Sequence, residues 1–379
     1  MKEKFSLKDA LFNPQKVHQI ASEIKSVYPA FAQENFEIES IDAFSRLELK
    51  ERIDHLRDML QKYLPDDYTE AMSILLEALP DELDRDKSDD DFGDFIYAPY
   101  ASFASEYGCC DEHLIFSLEA LREITKRFSV EFAIRDFIKL YPNETLQMLE
   151  TCSCSSHYHE RRLASEGLRP RLPWAKRLTI DHHLPLQYLD NLFSDPTRYV
   201  TRSVANHLND ISKIDASLVI DRLKEWKASG KQENKEMDYI LNHALRTLVK
   251  EGNEEALALL GYIKNPDIVV SDFVLEHQEI NIGDALVFQF ELEAKKEMKL
   301  MIDYAIHFKT KRNLYSQKVH KLKRVHLCKG EKIMIKKRHP FRANMTTRKL
   351  YEGEHKVELQ INGRCYANET FFLRRPNEF

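Results

Sequence analysis

Between Leu47 and Tyr262 apolar residues return at every third or fourth position, as in Leu56, Met59, Leu60 and Tyr63 and again in Ile240, Leu241, Ala244, Leu245 and Leu248. A stripe with that period covers one face of an α-helix, so this part is predicted to be helical. Proline and aspartate punctuate it at Pro65-Asp66, Pro142-Asn143 and Asp195-Pro196, each where a new helix would begin. After Asn265-Pro266 the period falls to two. DALVFQFEL, KLMIDYAIHF, KIMIKK and HKVELQINGR alternate apolar and polar residues, with turn signals at Asn281-Ile282-Gly283-Asp284, Glu352-Gly353 and Asn362-Gly363. Short alternating strands in this C-terminal part predict an immunoglobulin-like β-sandwich, without the paired cysteines and tryptophan of antibody domains. Both tryptophans, Trp174 and Trp226, precede it. The chain therefore reads as mainly α, with a helical domain over residues 1–264 and an all-β domain over residues 265–379.

Three helices carry an arginine in a similar place, Arg162 in RRLASEG, Arg202 in TRSVANHL and Arg246 in LRTLVKEG, spaced by 40 and then 44 residues. That period matches HEAT or armadillo units, whose helix pairs bury their faces only against neighbouring pairs, and predicts a helical-repeat solenoid. A length of 379 residues suits a solenoid plus one smaller domain, and only 10 glycines argue against a glycine-looped, nucleotide-cradling fold. The acidic stretch DELDRDKSDDDFGD, Asp81 to Asp94, interrupts the helical pattern. Its spacing does not match a calcium loop, and it is expected to be a surface loop.

No apolar leader follows Met1 and no run of eighteen apolar residues occurs, so a cytoplasmic protein without membrane contact is expected. Six cysteines without disulfide-scaffold spacing fit free thiols in a reducing compartment. Cys152, Cys154, His157 and His159 lie too close together to match zinc spacings, and neither a metal nor a cofactor is expected.

The net charge of −6 conceals an asymmetry. Residues 266–379 carry 22 Lys+Arg against 15 Asp+Glu, a net of +7, and residues 1–265 carry −13. Between Lys309 and Lys349 there are 15 basic residues and one acid, Glu331. Such a stretch attracts a polyanion, and Lys311, Arg312, Lys321, Lys323 and Arg324 are the candidate DNA contacts within it.

Two segments of the helical part carry candidate chemistry. In RRLASEGLRPRLPW, Arg162 and Glu166 are four apart and share a helix face, Gly167 ends the helix, and two prolines stiffen the turn that bears Arg169, Arg171 and Trp174. An isolated Arg–Glu pair at this spacing is usually a solvated ion pair worth under ~1 kcal/mol. A rigid turn with two arginines and a tryptophan suits phosphate and base contacts. On the helix from Thr197 to Lys213, Val204, Leu208 and Ile211 form an apolar stripe, while Arg202, Asn206, Asp210 and Lys213 project from another face, with Arg202, Asn206 and Lys213 as candidate DNA contacts. The plain alternative is an amphipathic helix with a solvated face.

The segments RRLASEGLRPRLPW and SVANHLNDISK closely resemble the DNA alkylation repair glycosylases of the AlkC group, relatives of AlkD built from HEAT-like repeats, and the likeness covers most of the chain, including a β-sandwich that some members append. The resemblance implies removal of N3-methyladenine and related cationic purines from double-stranded DNA by a monomeric enzyme, leaving an abasic site. It also implies a functional set of Glu131 in SVEFAIRDF, Arg162 and Glu166 in RRLASEG, and Asp210 in HLNDISK. The chemistry is consistent with this. A base alkylated at N3 is already cationic and leaves as a neutral molecule, so no general acid is needed. The remaining task is to stabilise the positive sugar and orient water, which carboxylates do in glycoside hydrolysis. Two other classes fit the same sequence: a HEAT-repeat protein that binds bent or branched DNA without catalysis, and a protein-interaction scaffold.

Overall fold

A computed structural model of the chain describes residues 6–86, 92–312, 314–343, 345 and 348–375. Helices form where the 3.6-residue period predicts them and also before it, at Leu7–Leu11, Pro14–Val27 and Gln33–Asp42. The punctuating residues act as read from the sequence. Asp67, just after Pro65-Asp66, caps the helix Tyr68–Glu77 by accepting from the Glu70 amide at 2.8 Å. Pro142 opens the helix Pro142–Ser153 at a position whose N–H would have no partner. Gly167 caps the helix Tyr158–Glu166, and Thr197 precedes the helix Arg198–Ile211.

Packing divides the described residues into two compact units. The first holds residues up to Ile214 together with Glu225–Ala244, and the second holds Asp215–Lys224 and everything from Leu245 onward. Residue 264 marks the change from helix to strand, but the helices Arg246–Lys250 and Glu254–Leu259 belong by contact with the strands.

In the first unit the most extensive helix contacts join helices one or two places apart in the chain; Tyr158–Glu166, for example, lies against Pro142–Ser153 and Arg198–Ile211, and touches Leu114–Thr125 further back. Arg162 and Arg202 sit in such packed helices. Arg246, the third member of the 40–44-residue spacing, falls in the second unit. Residues 87–91 of the acidic stretch lie outside the described residues. Its end, Gly93, forms a β-bridge with Phe128, and Asp94 pairs with Lys16.

Among the described residues the second unit contains eight strands: β1 (Ile268–Leu275), β2 (Glu279–Asn281), β3 (Ala285–Ala294), β4 (Met298–Lys309), β5 (Tyr315–Leu327), β6 (Lys332–Pro340), β7 (Gly353–Ile361) and β8 (Arg364–Arg374). They make a three-stranded sheet in the order β1-β3-β6 and a five-stranded sheet in the order β2-β8-β7-β4-β5. Alternate residues of both sheets, including Phe288, Phe290, Leu300, Ile302, Val357 and Leu359, meet in one core, which makes the unit a β-sandwich. The sequence segments named above become β3, β4, β6 and β7. β5 escapes the pattern because lysines break its alternation.

Helix and sheet in this unit meet through two glycines. Gly252 follows the helix Arg246–Lys250 at φ +74°, and Gly363 lies in the β7–β8 turn at φ +78°. A Cβ on Gly363 would fall 2.6 Å from the Gly252 Cα, so neither position has room for a side chain. Beside them the Asn362 amide donates to the Ile263 carbonyl at 2.8 Å and accepts from the Met301 N–H at 2.9 Å.

Candidate active site

Two elements of the first unit build the site. In the helix Tyr158–Glu166, Arg162 and Glu166 are one turn apart on a face that also packs on the helix Arg198–Ile211. The turn after Gly167 then folds back. Arg135 holds it there: its Nε donates to the Lys176 carbonyl at 2.9 Å and its Nη1 to the Gly167 and Arg169 carbonyls at 3.1 and 2.9 Å. These bonds fix the backbone of a proline-rich segment that has no regular structure of its own.

This folding places Arg169 inside the protein, where it is only 7% exposed. Its Nη1 donates to Glu166 Oε1 at 2.6 Å and its Nε to Asp210 Oδ2 at 3.0 Å. Arg169, expected on DNA, instead bridges two candidate acids. The reason is geometric: three residues after Glu166, and with the helix ended, its side chain returns over the helix it has just left.

Arg162 is also buried. It donates to Ser129 Oγ at 2.6 Å and Glu131 Oε2 at 3.1 Å, and its closest approach to Glu166 is 3.8 Å. The expected Arg162–Glu166 pair is therefore the looser of its two ion pairs. Glu166 receives a further 2.6 Å hydrogen bond from Ser203 Oγ, and Ser129 donates to Glu131.

Burial alone would oppose ionisation of Glu166. The nearby charges of Arg162 and Arg169 and the Ser203 hydrogen bond outweigh it, holding the Glu166 pKa below the ordinary carboxylate range. His207, wholly enclosed one turn before Asp210, is pushed down to about 4 by burial and then by Arg169. It stays neutral and bonds the Ser165 carbonyl at 2.9 Å, tying the two helices together.

The arginines and acids line up behind a cleft of about 800 Å³ whose wall includes Phe92, Glu131, Arg162, Glu166, Arg169 and Trp174. Glu131, Glu166 and Asp94 are the acids of that wall; Asp94 is paired with Lys16, whereas Glu131 and Glu166 lie beside the buried arginines. Asp210 is not part of it: it is 3% exposed, with one oxygen on Arg169 and the other 3.0 Å from Lys213 Nζ. Lys213, expected on DNA, is thus occupied by Asp210. Trp174 stands on the rim with 64% of its surface exposed and a φ of +64°, a backbone region that costs a non-glycine residue free energy. Its carbonyl accepts from Lys50. Arg171 is exposed on the same turn, and Arg202 is half-buried on its helix. Asn206 is half-buried too and bonds His243 Nε2 at 2.8 Å.

Sequence reasoning missed Ser129, Arg135, Ser203, Phe92 and Tyr199. Ser203 had a usable signal, since it lies seven residues, two turns, before Asp210 on one helix face. Arg135 had none, because its partners are backbone carbonyls 32 to 41 residues away.

In the second unit Lys311 and Arg312 occupy the exposed β4–β5 turn, and Lys321, Lys323 and Arg324 are exposed on β5, the last strand of its sheet. Partial burial and then the positive charges of Arg324, Lys250 and Arg246 lower the Lys321 pKa, with Asp303 opposing them.

Comparison with known proteins agrees with this architecture. The family model for the C-terminal Ig-like domain of the uncharacterised protein YhaZ matches residues 269–375. YhaZ of Bacillus subtilis (strain 168), itself uncharacterised, is 33% identical over 357 residues, 93% of this chain and 95% of its own length. The solved structure of the Pseudomonas fluorescens alkylpurine DNA glycosylase AlkC, bound to DNA containing an abasic site analog, superposes with a TM-score of 0.87 at 33% identity, covering 98% of this chain and 100% of that one. With both the helical unit and the Ig-like sandwich accounted for, the chain belongs to the AlkC-like proteins that carry a C-terminal Ig-like domain.

Proposed function

We propose that this chain is a metal-free, monofunctional DNA glycosylase that hydrolyses the N-glycosidic bond of cationic alkylated purines, N3-methyladenine foremost, in the base excision repair of alkylation damage. The observation that carries the reading is the pair of cleft acids, Glu131 and Glu166, each kept beside a buried arginine. A scaffold needs no such network, since burying charges costs more than it returns unless they serve a purpose. Glu131 and Glu166 face the deoxyribose and stabilise the sugar as positive charge grows on it. Asp210 acts one step back, sharing Arg169 with Glu166. The exposed Trp174 and Arg171 meet the DNA at the rim. The likeness to an enzyme captured on an abasic site analog, the state left after base loss, supports the same reading.

Chromatography of bases released from methylated DNA tests it. N3-methyladenine is expected among the products, with far less 7-methylguanine. Stable binding of that DNA without release of any purine would favour the non-catalytic DNA-binding reading instead.

The basic edge of the sandwich adds a second grip. Replacing Lys321, Lys323 and Arg324 together with Gln is expected to weaken DNA binding and lower the slope of log K against log salt by ~0.9 for each phosphate no longer neutralised. Excision at saturating protein should be unchanged. Lysines on an edge strand also keep it from pairing with another chain. If that is their whole role, the salt slope stays where it was and the variant self-associates.

A further inference from the structure

Arg162 is held by more than oxygen atoms. Its guanidinium carbon lies 4.4 Å from the centroid of the Tyr199 ring and 5.9 Å from that of Phe92, and the two rings meet edge to face at 5.3 Å. Tyr199 comes from the start of the helix Arg198–Ile211, so it reaches Arg162 from across the helix pair. It is 2% exposed, and its hydroxyl has no hydrogen-bond partner among the described residues. A buried phenol oxygen without a partner is a cost, so the useful part of this side chain is its ring. A cation is drawn to the face of an aromatic ring, more strongly where water is excluded.

The surroundings of Arg162 show what the ring adds. Ser129 and Glu131 draw the guanidinium to one side at hydrogen-bond distance, whereas Glu166, at 3.8 Å, holds it only by charge. With those partners alone the group would be free to turn toward Glu131. We propose that Tyr199 is a positioning residue for the acid pair: its ring face fixes the Arg162 guanidinium between Glu131 and Glu166, so that one cation serves both carboxylates. Phe92, at the end of the acidic stretch, closes the same group from the cleft side and keeps water from it. Among the described residues, the polar or charged side chains around Glu166 include Arg162 on its own helix, Arg169 on the following turn, Glu131, which shares Arg162, Arg135, which acts on it by charge, and Ser203, His207 and Asp210 on the facing helix. Among these, Arg162 is the cation whose place depends on Tyr199.

The kinetic readout of this inference rests on the glycosylase reading; the spectroscopic one does not. In the full-length protein the Glu166 carboxyl carbon is followed by ¹³C NMR against pH, assigned by its loss in Glu166→Gln. Single-turnover excision and DNA binding are measured beside it. Tyr199→Phe keeps the ring and should match the parent in all three. Tyr199→Leu should move the Glu166 titration midpoint upward by about half a pH unit or more, as expected when an opposing charge moves away. It should also slow excision ~10-fold, with binding unchanged. Phe92→Leu, at a 55% exposed position where folding is not at stake, should shift the midpoint the same way by less. An unmoved midpoint in both leucine variants overturns the proposal, as does a Tyr199→Phe variant that behaves like Tyr199→Leu, since the hydroxyl would then be the working group. A parent that releases no base refutes the glycosylase reading and leaves the titration to decide this one.

Discussion

Replacing Glu166 with Gln is expected to slow single-turnover excision from methylated DNA at least ~100-fold, a loss of ~3 kcal/mol or more in the transition state, while DNA binding survives. Gln keeps the shape and a carbonyl oxygen for Arg169 and Ser203, so the fold is spared. What disappears is the negative charge. Arg162 and Arg169 then present positive charge toward a sugar that is itself becoming positive, and the same two cations make the ground state slightly more attractive to phosphate. The rate should fall and affinity rise, the pattern expected of a group that acts only as the reaction proceeds. Glu131→Gln should behave alike. Excision by both variants within threefold of the parent, on protein shown to be folded by circular dichroism, would make these acids struts for the arginines rather than the means of catalysis.

Arg169→Met should cost ~3–5 kcal/mol of stability at neutral pH, because removing one partner of a buried ion network leaves the others uncompensated. Glu166 and Asp210 both lose their shared cation, and the hydrophobic replacement offers neither a hydrogen bond. The sign of the pH dependence follows from the Glu166 shift. In the parent its pKa lies below the unfolded value, so its contribution is present above about pH 4.3 and is lost as pH falls through the folded pKa. In the variant Arg162 remains, but the charge and hydrogen bond of Arg169 that helped depress the pKa are gone, and the enclosed carboxyl takes up a proton at higher pH, which relieves the penalty. Parent and variant should therefore converge on acidification. Urea denaturation at pH 7 and pH 5 checks this, and an equal gap at both would mean that Arg169 contributes packing rather than charge.

How much of this was legible in the sequence depended on distance along the chain. The helix ending at Gly167, the helix after Thr197 and four of the eight strands follow from local period and capping, which a single sequence carries. The resemblance supplied Glu131, Arg162, Glu166 and Asp210. The wiring among them was not legible. A loop with two arginines and a tryptophan reads as a nucleic-acid contact, and for Arg171 and Trp174 their exposure keeps that reading open. Arg169 on the same loop turns inward, because Arg135 pins the backbone on either side of it. The choice between facing DNA and facing Glu166 is made by tertiary hydrogen bonds, which leave no periodic trace. β5 was hidden for the opposite reason, since an edge strand can carry charge at positions where alternation would demand apolar residues.

The close approach of Gly252 and Gly363 bears on how such a protein can be taken apart and recombined. A cut at the change from helix to strand, near residue 264, would strip the β7–β8 turn of the two short helices that rest on it and expose Leu257, which packs at that glycine. The continuous part of that unit therefore starts about twenty residues earlier, near Leu245, and Asp215–Lys224 packs with it from further up the chain. A lineage that gained or lost the sandwich by joining genes would have had to move those helices with it, or close the bare turn with something else of the same shape.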